Sequence, residues 1–141
     1  MRMISVAIAD ANRSRRVVCT DLLDRTPHLR VVAHTSRRCN VVPLVMKHRP
    51  MVLILALDLV GRSADDPVSA LCAAGSQAEV VLLEAREHDD NCALRALAHG
   101  ARAYITGDIL HRRLCQALAG VLEGEAWIPR KMLGMVVERL S

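Results

Sequence analysis

The chain has 141 residues, 52% of them hydrophobic and 24% charged, with a formal net charge of +4; that length buries one sizeable core and is close to the commonest size of a single domain. No apolar run reaches the roughly 18 residues of a membrane span, and the N-terminus alternates apolar and polar residues where a signal peptide would show an unbroken apolar core. The expected location is therefore the cytoplasm.

In chain order, residues 3–9 (MISVAIA) form a short apolar run rich in β-branched residues. A polar stretch over 10–16 follows, then a helical pattern through Val17, Val18, Leu22 and Leu23. The unit repeats: 29–33 (LRVVA) is strand-like, and 36–48 carries helical residues closed by Arg49-Pro50. Residues 51–57 (MVLILAL) read as a strand buried on both faces, the pattern of a central parallel strand. Residues 67–74 are a short helix ended by Gly75, with Asp65 and Asp66 at its start, where acids favour the helix dipole. A fourth strand over 79–83 precedes a helix over 89–99 capped by Gly100, and a fifth over 101–106 precedes a helix over 109–123 bounded by Gly124.

Strands alternating with helices through short loops predict an α/β fold, a doubly wound five-stranded parallel sheet. Right-handed crossovers put helices on both faces and ligand chemistry at the carboxyl ends of the strands, so the informative loops follow residues 9, 56, 83 and 106. Residues 125–141 are a different piece, with Trp127 and Pro129 before a helix through Met132, Leu133, Val136, Val137 and Leu140. Its apolar residues would stay partly exposed on a monomer, as in a linker helix leading elsewhere.

Cysteines 19, 39, 72, 92 and 115 form no CxxC pair, so neither a zinc site nor a disulfide framework is indicated, and they are read as small packing residues. The arginines and lysines fall in separate short clusters, and Tyr104 and Trp127 are the only aromatic residues. That pattern lacks the stacking platforms of a single-strand binder. No metal or other cofactor is expected.

Several stretches resemble the receivers of the NarL/FixJ class of response regulators. Ile8-Ala9-Asp10 is similar to the class's acidic-pair motif, and His48-Arg49-Pro50 to its lead-in to the phosphorylated Asp. Gly100-Ala101-Arg102-Ala103-Tyr104 resembles its fifth-strand signature, and Gly124-Glu125-Ala126-Trp127 its turn into the linker helix. The resemblance implies a (βα)5 receiver over 1–124 with flavodoxin-like strand order 2-1-3-4-5, and a linker helix over 125–141. It also implies a DNA-binding helix-turn-helix beyond Ser141, so the expectation is the receiver portion of a longer regulator, with a stand-alone receiver as the other reading. DNA would be bound only through that effector domain.

The same resemblance locates the phosphoryl chemistry, which needs a carboxylate nucleophile, further carboxylates for Mg²⁺ and groups that stabilise the transferred oxygens. The acidic pair falls on Asp10 and Ala11, the acceptor on Ala56, the hydroxyl position on Glu84 and the lysine position on Gly107. The expected pocket is thus degenerate, with no fixed cation opposite it. Asp58 is the alternative acceptor, but it lies about 6.6 Å further along a strand than Ala56 and is read as a loop carboxylate. Asp10 has a structural reading as well, accepting bonds from loop amides or Asn12. Tyr104 occupies the switch-aromatic position and is expected to be held in one orientation or to serve only in packing.

These positions imply a phosphorylation-independent regulatory and dimerisation receiver, and no enzyme, since no nucleophile and base converge at the strand ends. A homodimer face is expected on the fifth helix at Cys115, Ala119 and Leu122, with the apolar second helix (Val41, Val42, Leu44, Val45, Met46) as another candidate surface. The alternative is a small-molecule sensor or a protein-interaction receiver. In the sensor reading Ala11 and Ala56 enlarge the pocket and Arg13 meets an anion. A flavodoxin-like cofactor protein is disfavoured, because the first loop has no Gly-rich cradle and no stacking aromatic.

Overall fold

The computed structural model describes residues 2–61, 66–85 and 90–140. Five parallel strands, β1 (Ile4–Ala9), β2 (Leu29–Thr35), β3 (Val52–Ala56), β4 (Glu79–Leu83) and β5 (Ala103–Ile105), form one sheet in the order β2-β1-β3-β4-β5. The helices are α1 (Arg13–Asp24), α2 (Val41–His48), α3 (Pro67–Ala73), α4 (Asp90–Ala98), α5 (Leu110–Leu122) and α6 (Arg130–Leu140). The predicted fold class and strand order are both found.

Alternation along the strands divides the core between two faces of the sheet. Val6, Ile8, Val52, Ile54, Val81 and Leu83 pack with α1 and α5, while Ala7, Leu53, Leu55, Val80, Leu82 and Tyr104 pack with α2, α3, α4 and α6. Every residue of β3 is buried, as its unbroken apolar run predicts for the middle of the sheet.

The first helix begins earlier than the apolar pattern suggested. Asn12 is its N-cap, with Oδ1 accepting from the Arg15 amide at 2.9 Å, so the polar stretch before Val17 forms the first helical turn. The second helix starts later, because residues 38–40 form a 3-10 turn ahead of α2. Asp66 caps α3 as expected, accepting from the Val68 amide at 2.9 Å; Asp65 lies outside the described residues.

The α2 stripe proposed as a contact surface is mostly covered. Val41 and Val45 are buried, Val42 and Leu44 pack against the core, and Met46 remains 37% exposed. The C-terminal helix turns back onto α4, burying Met132 and half-burying Val136, while Leu133 and Val137 are exposed. No helix among the described residues is long and apolar enough to cross a membrane.

Candidate functional site

The strand ends meet along one rim. Ala9 pairs with Leu55, Ala56 with Leu83, and Leu83 with Ile105. The residues that follow, Asp10, Asp58, Glu84 and Gly107, therefore share the carboxyl edge of the sheet, where open α/β sheets place their ligand chemistry.

Asp10 is fully buried, and its carboxylate is satisfied locally. Oδ1 accepts from the Asn12 amide at 2.9 Å and from Arg15 Nη2 at 2.5 Å, and Oδ2 accepts from Arg15 Nε. Arg16 Nη1 donates to the Asp10 carbonyl at 2.7 Å. Arg15 sits in the first turn of α1, where side chains point back towards the helix start, and this returns its guanidinium over the strand end it has just left. The contact is a two-point, charge-assisted pair, the geometry a planar guanidinium matches to a carboxylate. Arg15 Nη2 also reaches Asp58 Oδ2 at 3.4 Å, carried by a 3-10 turn over Leu57–Leu59.

The electrostatics follow from this geometry. Burial works against the Arg15 charge, but the bond to Asp10 and the nearby Asp58 outweigh it, so the guanidinium is held above its ordinary pKa. Burial, then the neighbouring Asp10, pushes Asp58 above the usual carboxylate range, with Arg15 opposing the shift. The expectation that no fixed cation remains at this site is corrected: Arg15 is that cation, supplied by α1. An arginine three residues after an N-cap Asn, beside a strand-end Asp, was the signal in the sequence. Arg13, singled out there instead, is exposed and lines a groove on the outer face of α1 with Thr20, Asp24 and His34.

The other sequence-selected positions do not join the Asp10 network. Ala56 is fully buried within the α1/α5 layer and Ala11 is on the surface. The two alanines thus do not line one enlarged pocket. Glu84 Oε1 accepts from the Gly107 amide at 3.0 Å, tying the end of β4 to the loop after β5. Tyr104 is 2% exposed and packs on the α4/α6 side. Burial, and then Glu84 and Asp90, raises its phenol above the ordinary value.

A second polar cluster joins α4 and the residue after it to Gly61 and Asp66. Asp66 Oδ2 faces His99 Nδ1 at 3.1 Å and Arg95 Nε at 3.7 Å, while Arg95 Nη2 and Cys92 Sγ donate to the Gly61 carbonyl. Gly61 has φ +80° and Arg38 lies where a Cβ would stand, so only glycine fits there without strain. Among the described residues no group of three or more His, Cys, Asp or Glu side chains is arranged to hold a metal ion.

The expected dimer face divides. Cys115 is turned towards α1, its Sγ 3.1 Å from Thr26 Oγ1, and Leu122 packs against the core; Ala119 is exposed. Beyond α5, Trp127 continues the sheet past β5: its amide donates to the Arg102 carbonyl at 3.0 Å, and the Tyr104 amide donates to the Trp127 carbonyl at 2.7 Å.

No protein-family model and no curated protein matches the chain. Solved structures do match. A two-component response regulator of the LuxR family from Aurantimonas sp. SI85-9A1 superposes with a TM-score of 0.81 at 20% identity, covering 99% of each chain. The signal receiver domain of the putative response regulator NarL from Mycobacterium tuberculosis gives 0.78 at 18%, covering 89% of this chain and 100% of the other. The isolated REC domain of RcsB from Salmonella enterica serovar Typhimurium, in the presence of phosphomimetic BeF3⁻, gives 0.76 at 18% over 99% of each. At such identities the likeness is one of architecture: the chain has the receiver fold of NarL- and LuxR-type response regulators.

Proposed function

We propose that this is a phosphorylation-independent receiver domain of a bacterial response-regulator transcription factor. The observation that carries the reading is the Arg15 guanidinium, which engages both oxygens of Asp10 and extends to Asp58. A tethered cation then stands where a phosphorylatable receiver would recruit a soluble one. The donor set does not fit Mg²⁺, which needs near-octahedral oxygen ligands at about 2.0–2.1 Å: Asp10 is committed to the guanidinium, and Ala11 adds no second carboxylate. No step is assigned through a metal.

The remaining positions agree with this reading. Ala56 has no carboxylate to accept a phosphoryl group, Glu84 brings an anion to the rim, and Gly107 supplies no cation. Asp58 is held by Arg15 and points from a 3-10 turn beyond the strand. In this account the domain has no catalytic activity. It acts as a preset scaffold that pairs two copies in the cytoplasm, with Ala119 at the exposed part of the α5 face, and reaches DNA through an effector domain.

Incubation with acetyl phosphate and Mg²⁺ followed by intact-mass measurement tests the proposal. The expected result is an unchanged mass and unchanged sedimentation; a phosphoryl adduct mapped to Asp58 overturns it.

A further inference from the structure

We propose that the outer face of α1 is the contact on which two copies of this chain pair, with their first helices antiparallel. Arg13, Arg16, Val17, Thr20, Asp21 and Asp24 recur at steps of three and four along the helix, and together with His34 they line one groove of about 420 Å³. The inference rests on the pairing of two copies proposed above and gives that pairing a surface, one that excludes Ala119 of α5.

The order of charge along this face runs against the helix itself. Arg13, Arg15 and Arg16 stand at the positive end of the helix dipole and Asp21 and Asp24 towards the negative end, with no acid in the first turn and no base in the last. Asp10 accounts for Arg15, and its carbonyl takes one nitrogen of Arg16. Arg25 Nη2 holds Asp21 at 3.2 Å. Among the described residues no ion pair engages Arg13 or Asp24, and both are exposed. The stability of α1 therefore explains neither residue.

The face is its own complement. Positions 13 and 24, 16 and 21, and 17 and 20 are each symmetric about a point between residues 18 and 19. A second α1 laid antiparallel about a two-fold axis through that point sets Arg13 against the partner's Asp24 and Arg16 against the partner's Asp21. Each pair then occurs twice, as a self-complementary two-fold contact requires. Val17, 58% exposed, meets the partner's Thr20 at the centre. Each acidic end also lies over the positive end of the other helix, whereas a parallel arrangement would bring arginine onto arginine. The Asp10 amide donates to the Thr35 carbonyl at 3.0 Å, which holds the end of β2 beside the start of α1, so His34 flanks the basic end. A 12-residue helix is about 18 Å long, a small contact beside the roughly 800 Å² per partner of a standard interface. The pair is therefore weak and sensitive to salt.

Sedimentation of the whole chain and of charge-reversed variants tests the proposal, with circular dichroism to check that each variant is folded. Arg13→Asp and Asp24→Arg should each weaken self-association at least about tenfold. Mixing these two variants should restore pairing to within about threefold of the parent, because each then meets opposite charge at both ends. The double variant Arg13→Asp/Asp24→Arg should pair as the parent does. Within one helix the two positions are about 16 Å apart, beyond the screening length of about 10 Å in 0.1 M salt, so recovery reports contact between chains. A parent that stays monomeric to about 1 mM overturns both the pairing and this surface. A dimer that survives both reversals overturns the α1 assignment alone, and its loss in Ala119→Arg would return the contact to α5. Weakening by both reversals without recovery in the mixture overturns the antiparallel register.

Discussion

Arg15 and Asp10, five residues apart, close the turn between β1 and α1 with a two-point ion pair whose carboxylate is fully buried. Removing one partner of such a pair costs more than the pair is worth, because a buried charge is left alone. Arg15→Ala is predicted to lower unfolding free energy by about 3 kcal/mol in urea titration. Arg15→Lys should recover part of that loss, and adding Asp10→Asn to Arg15→Ala should recover more. Additive losses in the double variant would show that the two residues do not act on each other.

Asp58 gives a pH prediction of definite sign. Its folded-state pKa is raised above the ordinary carboxylate value, by burial first and Asp10 second. A raised acid favours the folded state below its unfolded pKa and loses that contribution as pH rises through the folded value. Asp58→Asn should therefore be slightly more stable than the parent at neutral pH, by at most about 0.5 kcal/mol given the exposure of the group. The advantage should vanish below about pH 4, as thermal melts across that range would show; a variant less stable at pH 7 would reverse the sign.

The cysteines should differ sharply in reactivity. The Cys19 thiol is fully buried and pushed up to about 12, by burial first and Asp10 second, so it is protonated at neutral pH and inaccessible as a nucleophile. Cys39 and Cys72 are exposed. Iodoacetamide with peptide mapping should label Cys39 and Cys72 in the native chain and Cys19 only after denaturation. Early labelling of Cys19 would place it outside the core.

Gly120 lies within α5, where glycine costs about 1 kcal/mol relative to alanine. An added Cβ would stand 2.5 Å from Glu125 Oε1 and 2.6 Å from Trp127 Nε1. Glu125 can swing aside, whereas the indole is anchored by its backbone on the β5 edge. Gly120→Ala should therefore shift Trp127 emission to the red without the stability gain that helix propensity alone would bring; a stabilised chain with unchanged emission would remove the claim of a tight seat.

The architecture was legible because each strand declares itself by a run of apolar residues and each helix by its period. The apolar run of β3 told of burial on both faces, and the residues of β3 are buried throughout. Element ends were harder. The start of α1 is fixed by the Asn12 side chain, a capping bond and not a hydrophobic period, and β5 is shorter than its apolar run because only Ala103–Ile105 pair with β4.

At the site, residue-by-residue comparison located Asp10, Ala56, Glu84 and Gly107 on one rim but overlooked Arg15. A polar stretch between strand and helix was read as loop, and a loop arginine has no predictable target. Once Asn12 starts the helix, position 15 faces back over Asp10. The apolar surplus of α2 was likewise read as surface for a partner, whereas Val42 and Leu44 pack on this chain; that of α6 was read as partly exposed, and Leu133 and Val137 are exposed while Met132 and Val136 pack on the core.

The central claim is that the strand-end site is preset by Arg15 and does not respond to a phosphoryl group. Amide NMR spectra of the chain with and without beryllofluoride and Mg²⁺ test this most directly. The account predicts superimposable spectra at Asp10, Asp58, Glu84, Tyr104 and Gly107. Saturable, Mg²⁺-dependent shifts at those amides would contradict it.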